Sequence, residues 1–231
     1  MKKPKSIDPC PIIDAVIEIR FTPNIDQNAV FGLLYNEVKE DFPGKVEPQT
    51  ITTIEPGKNE LQSTQIYKIA NERYVIQIGH NVLSISSFPK YTGWTEFYET
   101  AINYLQKIER VGIIAEVNRL GMRYINFFEN DIFKNLKINT TIDNQEIDYK
   151  NTQIKTEISH ENFKSTLLIA NNIEAKNNTG SIVDIDTFRS ENLKDFFSNK
   201  NEILQEIHNN EKELFFSLLK DEFIESLNPK Y

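Results

Sequence analysis

Pro11-Ile12-Ile13-Asp14-Ala15-Val16-Ile17-Glu18-Ile19-Arg20-Phe21-Thr22-Pro23 sets Ala15, Ile17, Ile19 and Phe21 in alternation with Asp14, Val16, Glu18 and Arg20. A period of two is that of a half-buried strand. Just beyond it, Asp26 is placed to cap a helix reaching about Asp41, with Val30, Leu33, Leu34 and Val38 at helical spacing and Pro43-Gly44 at its end. Four short strand-like runs follow: Val46 to Ile54, Thr64 to Ala70, Tyr74 to Gly79 and Val82 to Phe88. Their separators, Glu55-Pro56-Gly57-Lys58-Asn59, Asn71-Glu72-Arg73 and Gly79-His80-Asn81, are turn chemistry. An amphipathic helix then runs from Trp94 to about Arg110. Trp94, Phe97, Ala101, Ile102, Leu105 and Ile108 form its stripe, and Gly112 closes it.

The second half repeats the order. Ala115 to Phe128 reads as a long strand and Asp131 to Leu136 as a short helical turn. Ile138 to Ile142, Gln153 to Ile158, Phe163 to Ala170 and Ser181 to Phe188 read as further strands. From Glu191 to about Leu227 the pattern is helical, with breaks expected at Asn199 to Asn201 or at Asn209-Asn210. Strand, helix, several strands, long helix, given twice, predicts an α+β fold. The expectation is a curved, mostly antiparallel sheet with long helices on one face. Two halves, residues 1–112 and 113–231, would resemble fused TATA-binding-protein-like or helix-grip units packed as one compact body.

Composition narrows the function classes. The 231 residues carry 34 Asp and Glu against 26 Lys and Arg, a formal charge of -8. That balance argues against a general nucleic-acid or anionic-membrane binder. One cysteine, Cys10, excludes a disulfide scaffold and a Cys-rich zinc site, and it fits a reducing compartment. No apolar run approaches the roughly 20 residues of a membrane span. The opening MKKPKSIDPCP has lysines but no apolar stretch behind them, which is unlike a secretory signal. The expected setting is cytoplasmic.

Pro11 to Phe21 resembles the opening P-I-x-E-A-x-x-E-I-R-F strand of a sporadically distributed prokaryotic family without an assigned activity. Arg119-Leu120-Gly121-Met122-Arg123-Tyr124-Ile125-Asn126 is similar to that family's R-x-G-x-R-Y-x-N segment. Tyr91-Thr92-Gly93-Trp94 and Asp184-Ile185-Asp186 extend the likeness over most of the chain, and Asp14 stands where the family has Glu. The resemblance implies no transferable activity. The family's patchy distribution implies horizontally moving genes, hence a role in defence or in mobile elements.

Arg119 and Arg123 are the sharpest chemical feature. On a strand, residues 119, 121, 123 and 125 share one face, and Gly121 leaves a gap between two guanidinium-bearing positions about 13 Å apart. One reading is an anion clamp, since guanidinium forks match phosphate and carboxylate, with Tyr124 and Trp94 as further candidate ligand contacts. The other is a structural charge network with Asp14 and Glu18 on the first strand and Asp184 and Asp186 on the last. The Asp184/Asp186 pair lacks assigned co-ligands, so no metal site is expected. His80, His160 and His208 have no metal-ligand spacing and read as turn or surface residues, and Cys10 has no activating neighbour. Neither a phosphate loop nor a nucleophile elbow occurs, so no cofactor and no catalytic residues are expected. The aromatic group Tyr91, Trp94, Phe97 and Tyr98 reads as helix-on-sheet packing. The leading expectation is a non-enzymatic interaction or regulatory component that binds a protein partner or itself. A sensor of a small anionic ligand or nucleotide is the alternative.

Overall fold

The computed structural model describes residues 3–54, 61–175 and 178–231. In chain order the strands and helices are β1 (Ile12–Pro23), α1 (Gln27–Val38), β2 (Glu47–Ile54), β3 (Leu61–Ala70), β4 (Tyr74–Gly79), β5 (Val82–Ser87) and α2 (Trp94–Val111). They continue as β6 (Ile114–Phe128), β7 (Thr141–Ile142), β8 (Gln145–Glu146), β9 (Gln153–His160), β10 (Phe163–Ala175), β11 (Asn178–Arg189), α3 (Phe196–Leu218) and α4 (Asp221–Ser226). Nine strands form one antiparallel sheet in the order β2-β3-β4-β5-β1-β6-β11-β10-β9, and β7 and β8 form a separate hairpin. The fold class is α+β. Each half pairs its first strand with its last, β1 with β5 and β6 with β11, and then meanders away through hairpins. The Glu55–Asn59 turn expected from sequence lies outside the described residues.

Residue contacts divide the chain into two compact units: residues 16–121 with 189–204, and residues 1–15 with 122–188 and 205–231. In the first, Asp26 caps α1 by accepting from Asn28 N–H at 2.9 Å. Val30, Leu34 and Val38 are buried one turn apart, while Leu33 lies off that face and is 46% exposed. The helix α2 buries Phe97, Ala101, Leu105 and Ile108, and ends where Gly112 takes φ 71°. That left-handed conformation is one a side chain would resist. These residues, with Ile17, Ile19, Phe21, Ile76, Ile78, Leu83 and Ile85 from the strands, form the unit's apolar interior.

The second unit buries Leu167, Ile169, Val183 and Ile185 of β10 and β11, together with Phe133, Leu136, Leu214, Phe215, Leu219 and Ile224. Three expectations are corrected here. The stretch Ile138 to Ile142 is strand only at Thr141–Ile142, which forms a hairpin through Asp143 and Asn144 at φ 50° and 61°. Positive φ at both positions is the tight-hairpin geometry that Asp and Asn tolerate. The C-terminal helix begins at Phe196 rather than Glu191. It runs unbroken through Asn199–Asn201 and Asn209–Asn210, because burial of Leu204, Ile207, Leu214 and Phe215 outweighs the low helix propensity of Asn. The break falls instead at Leu219-Lys220, where Lys137 N–H donates to Leu218 C=O and Lys220 N–H donates to Asn135 C=O.

Candidate functional site

In the second unit, Arg123 of β6 forms a two-pronged bond with Asp184 of β11. Its Nε donates to one carboxylate oxygen at 2.7 Å and its Nη2 to the other at 2.6 Å. The Asp184 side chain is 7% exposed and that of Arg123 47%. The parallel fork is the strongest geometry available to this pair. The hydrogen bond to Asp184 raises the Arg123 pKa, burial opposes it, and the charges of Asp184, Asp186 and Asp14 add to the rise. One guanidinium therefore sits among three carboxylates.

A further buried acid stands on α3, the helix that packs on the other face of these strands. Glu211 is almost wholly buried, and its carboxyl holds its proton well above the usual range. Burial is the main cause, followed by the charges of Asp184 and Asp186. One turn earlier, His208 is pushed down to about 3, by burial first and by Lys212 second. Its Nδ1 lies 3.1 Å from the hydroxyl of Tyr124. Strand alternation turns Tyr124 to the face of β6 opposite Arg123. Tyr124 is buried there, with its ring edge-on to His208 at 5.9 Å.

In the first unit, Arg119 Nη1 donates to Glu18 Oε1 at 3.1 Å, and Arg20 Nε donates to the same oxygen at 2.9 Å. The room at Gly121 is taken by Arg119 itself: a Cβ there would overlap its Nη1. Each arginine thus meets a carboxylate of its own unit, Arg119 with Glu18 and Arg123 with Asp184. Trp94 of α2 packs on Tyr98 with ring centroids 5.2 Å apart. A cleft of about 380 Å³ in this unit is lined by Asp41, Asn71, Tyr74, Tyr104, Lys107 and Arg110, none of them a residue singled out from the sequence. Lys107 there pairs with Asp41.

Glu211 escaped the sequence reading, and His208, expected at a turn or the surface, is instead half-buried against Tyr124; for Glu211 a signal was present. Leu204, Ile207, Leu214 and Phe215 mark the buried stripe of α3, and Glu211 falls four residues from both Ile207 and Phe215. An acid on the apolar rung of a helix is a buried acid. Among the described residues, no group of three or more His, Cys, Asp or Glu side chains is arranged to hold a metal ion. No described helix is long and apolar enough to cross a membrane. No family model matches this chain, and no curated protein matches it.

Proposed function

We propose that the protein is a non-catalytic interaction or regulatory component of a prokaryotic multi-gene system, working by binding a protein. The observation that carries this reading is the charge state of the arginine centre. Arg123 is committed to Asp184 and has Asp186 and Asp14 within electrostatic range. The local sum is negative on a chain of formal charge -8. An incoming phosphate or carboxylate would have to displace Asp184 and approach its neighbours, which repel it. Arg119 is likewise held by Glu18. Backbone offers another means of binding: among the described residues the sheet ends on β2 at one side and on β9 at the other, and the outward residues of β9 are exposed. Exposed strand edges take up protein segments by main-chain pairing. The family resemblance adds the expectation of a defence or mobile-element setting.

The other reading, a sensor of small anionic ligands or nucleotides, makes a different prediction. Thermal melts of the wild type against a panel of nucleotides and phosphorylated metabolites are expected to show no stabilisation. A ligand that raises the melting temperature of the wild type, but not that of Arg123→Ala or Arg119→Ala, would overturn the interaction reading in favour of the sensor.

A further inference from the structure

The strand β9 lies at the end of the sheet and has β10 as its neighbour, in unbroken register from Gln153 opposite Ala170 to His160 opposite Phe163. Just before the strand, Asn171 N–H donates to Thr152 C=O, which makes that opposed pair a hydrogen-bonded one. By the alternation of an antiparallel ladder, Ile154, Thr156 and Ile158 turn their backbone groups toward β10. Gln153, Lys155, Glu157 and Ser159 turn theirs away from it, and their side chains are exposed.

Read outward from Thr156, the segment Ile154-Lys155-Thr156-Glu157-Ile158 is self-complementary. An antiparallel copy, related by a two-fold axis at Thr156, places Lys155 opposite Glu157 of the second copy and Glu157 opposite its Lys155. The same register places Ile154 opposite Ile158 on both sides of the axis. Backbone and side chains agree on this register. The Lys–Glu pairs fall where both strands turn their N–H and C=O groups outward. The Ile pairs fall at the non-hydrogen-bonded positions, where strands bring Cα atoms to about 4.5 Å and side chains pack closest.

The surroundings fit as well. Ile154 and Ile158 already pack on the core of their unit, so pairing them continues that core. Lys155 has no ion pair among the described residues. Glu157 has Lys164 at 3.3 Å on the same face, both half exposed, leaving the carboxylate accessible to a second cation. Edges that are protected against pairing carry a proline, a bulge or an unanswered charge. The strand β9 has neither proline nor bulge, and in the pairing about Thr156 its lysine is answered by Glu157 of the second copy.

We infer that β9 is a self-association edge, through which two copies of this chain pair strand to strand about Thr156. The inference rests on the interaction reading above and names its partner as a second copy.

Sedimentation velocity across the micromolar range tests it. The wild type is expected to show a monomer–dimer equilibrium. Lys155→Glu and Glu157→Lys each place like charges in both cross-strand pairs, and each is expected to weaken the dimer by about tenfold or more. Both residues are exposed, so the fold is expected to survive these changes. The double variant Lys155→Glu/Glu157→Lys restores complementarity and is expected to dimerise like the wild type. An equimolar mixture of the two single variants is expected to form the heterodimer. A wild type that stays monomeric throughout, single variants that dimerise as well as the wild type, or a double variant that fails to recover would overturn the inference. A monomeric wild type without ligand-induced stabilisation overturns this partner while leaving the interaction reading standing. A nucleotide shift that needs either arginine removes that reading itself.

Discussion

Replacing Arg123 by Ala removes a guanidinium that lies 2.7 and 2.6 Å from the two oxygens of Asp184. Breaking a fully buried ion pair on one side costs about 3–5 kcal/mol, whereas an exposed pair is worth about 0–1 kcal/mol. Here the acid is 7% exposed and the base 47%, so screening reduces the cost and burial of the acid keeps most of it. We expect a loss of about 2–3 kcal/mol at neutral pH, a fall in melting temperature of about 5–10 °C for a chain of this size. The neighbours push toward the upper end, because Asp186 and Asp14 also lose the charge that attracts them. Adding Asp184→Asn to Arg123→Ala removes the stranded charge and is expected to recover part of the loss, a coupling of about 1 kcal/mol or more. Thermal and urea melts of the four species at neutral pH measure this cycle. An Arg123→Ala variant that melts within about 1 °C of wild type, or a double variant that recovers none of the loss, would refute the reasoning.

Two further outcomes follow from the groups on α3. His208 titrates at about 3 in the folded state, below its ordinary value, so unfolding takes up a proton wherever the unfolded imidazole is charged and the folded one is not. Its contribution is present above about pH 6.5 and is lost as pH falls toward 3, by up to about 1.4 kcal/mol per pH unit. His208→Gln is expected to flatten the stability profile between pH 6 and pH 4, and a profile as steep as wild type would count against this. Glu211 titrates above its ordinary range, so its ionisation penalises the folded state increasingly as pH rises. Glu211→Gln is expected to melt higher than wild type at pH 8 and to converge with it near pH 4; a variant less stable at pH 8 would contradict the assignment of burial as the dominant cause.

Local chemistry accounts for what the sequence makes legible. Asp26 caps α1 because its side chain reaches an amide two residues on, and Gly112 ends α2 because the next step needs a positive φ. Both signals act within one turn, and both elements were readable to within a few residues. The unbroken run of α3 through Asn199–Asn201 and Asn209–Asn210 was not readable, since burial of its far side against strands distant in sequence decides it. Site chemistry divides the same way. Alternation places Arg119, Arg123, Asp14, Glu18, Asp184 and Asp186 on strand faces, and no more than that is local. Which acid each arginine takes depends on strand order and register. A register step of two residues along a ladder keeps every side chain on its face and changes every partner by about 7 Å. Arg123 meets Asp184 because β6 lies beside β11 in this register, and that pairing is a property of the whole sheet. The edge β9 is the opposite case. Its self-complementary order Ile154-Lys155-Thr156-Glu157-Ile158 is written in five consecutive residues. It acquires meaning only once the sheet order leaves that strand at the margin and the ladder to β10 fixes which residues turn their backbone outward.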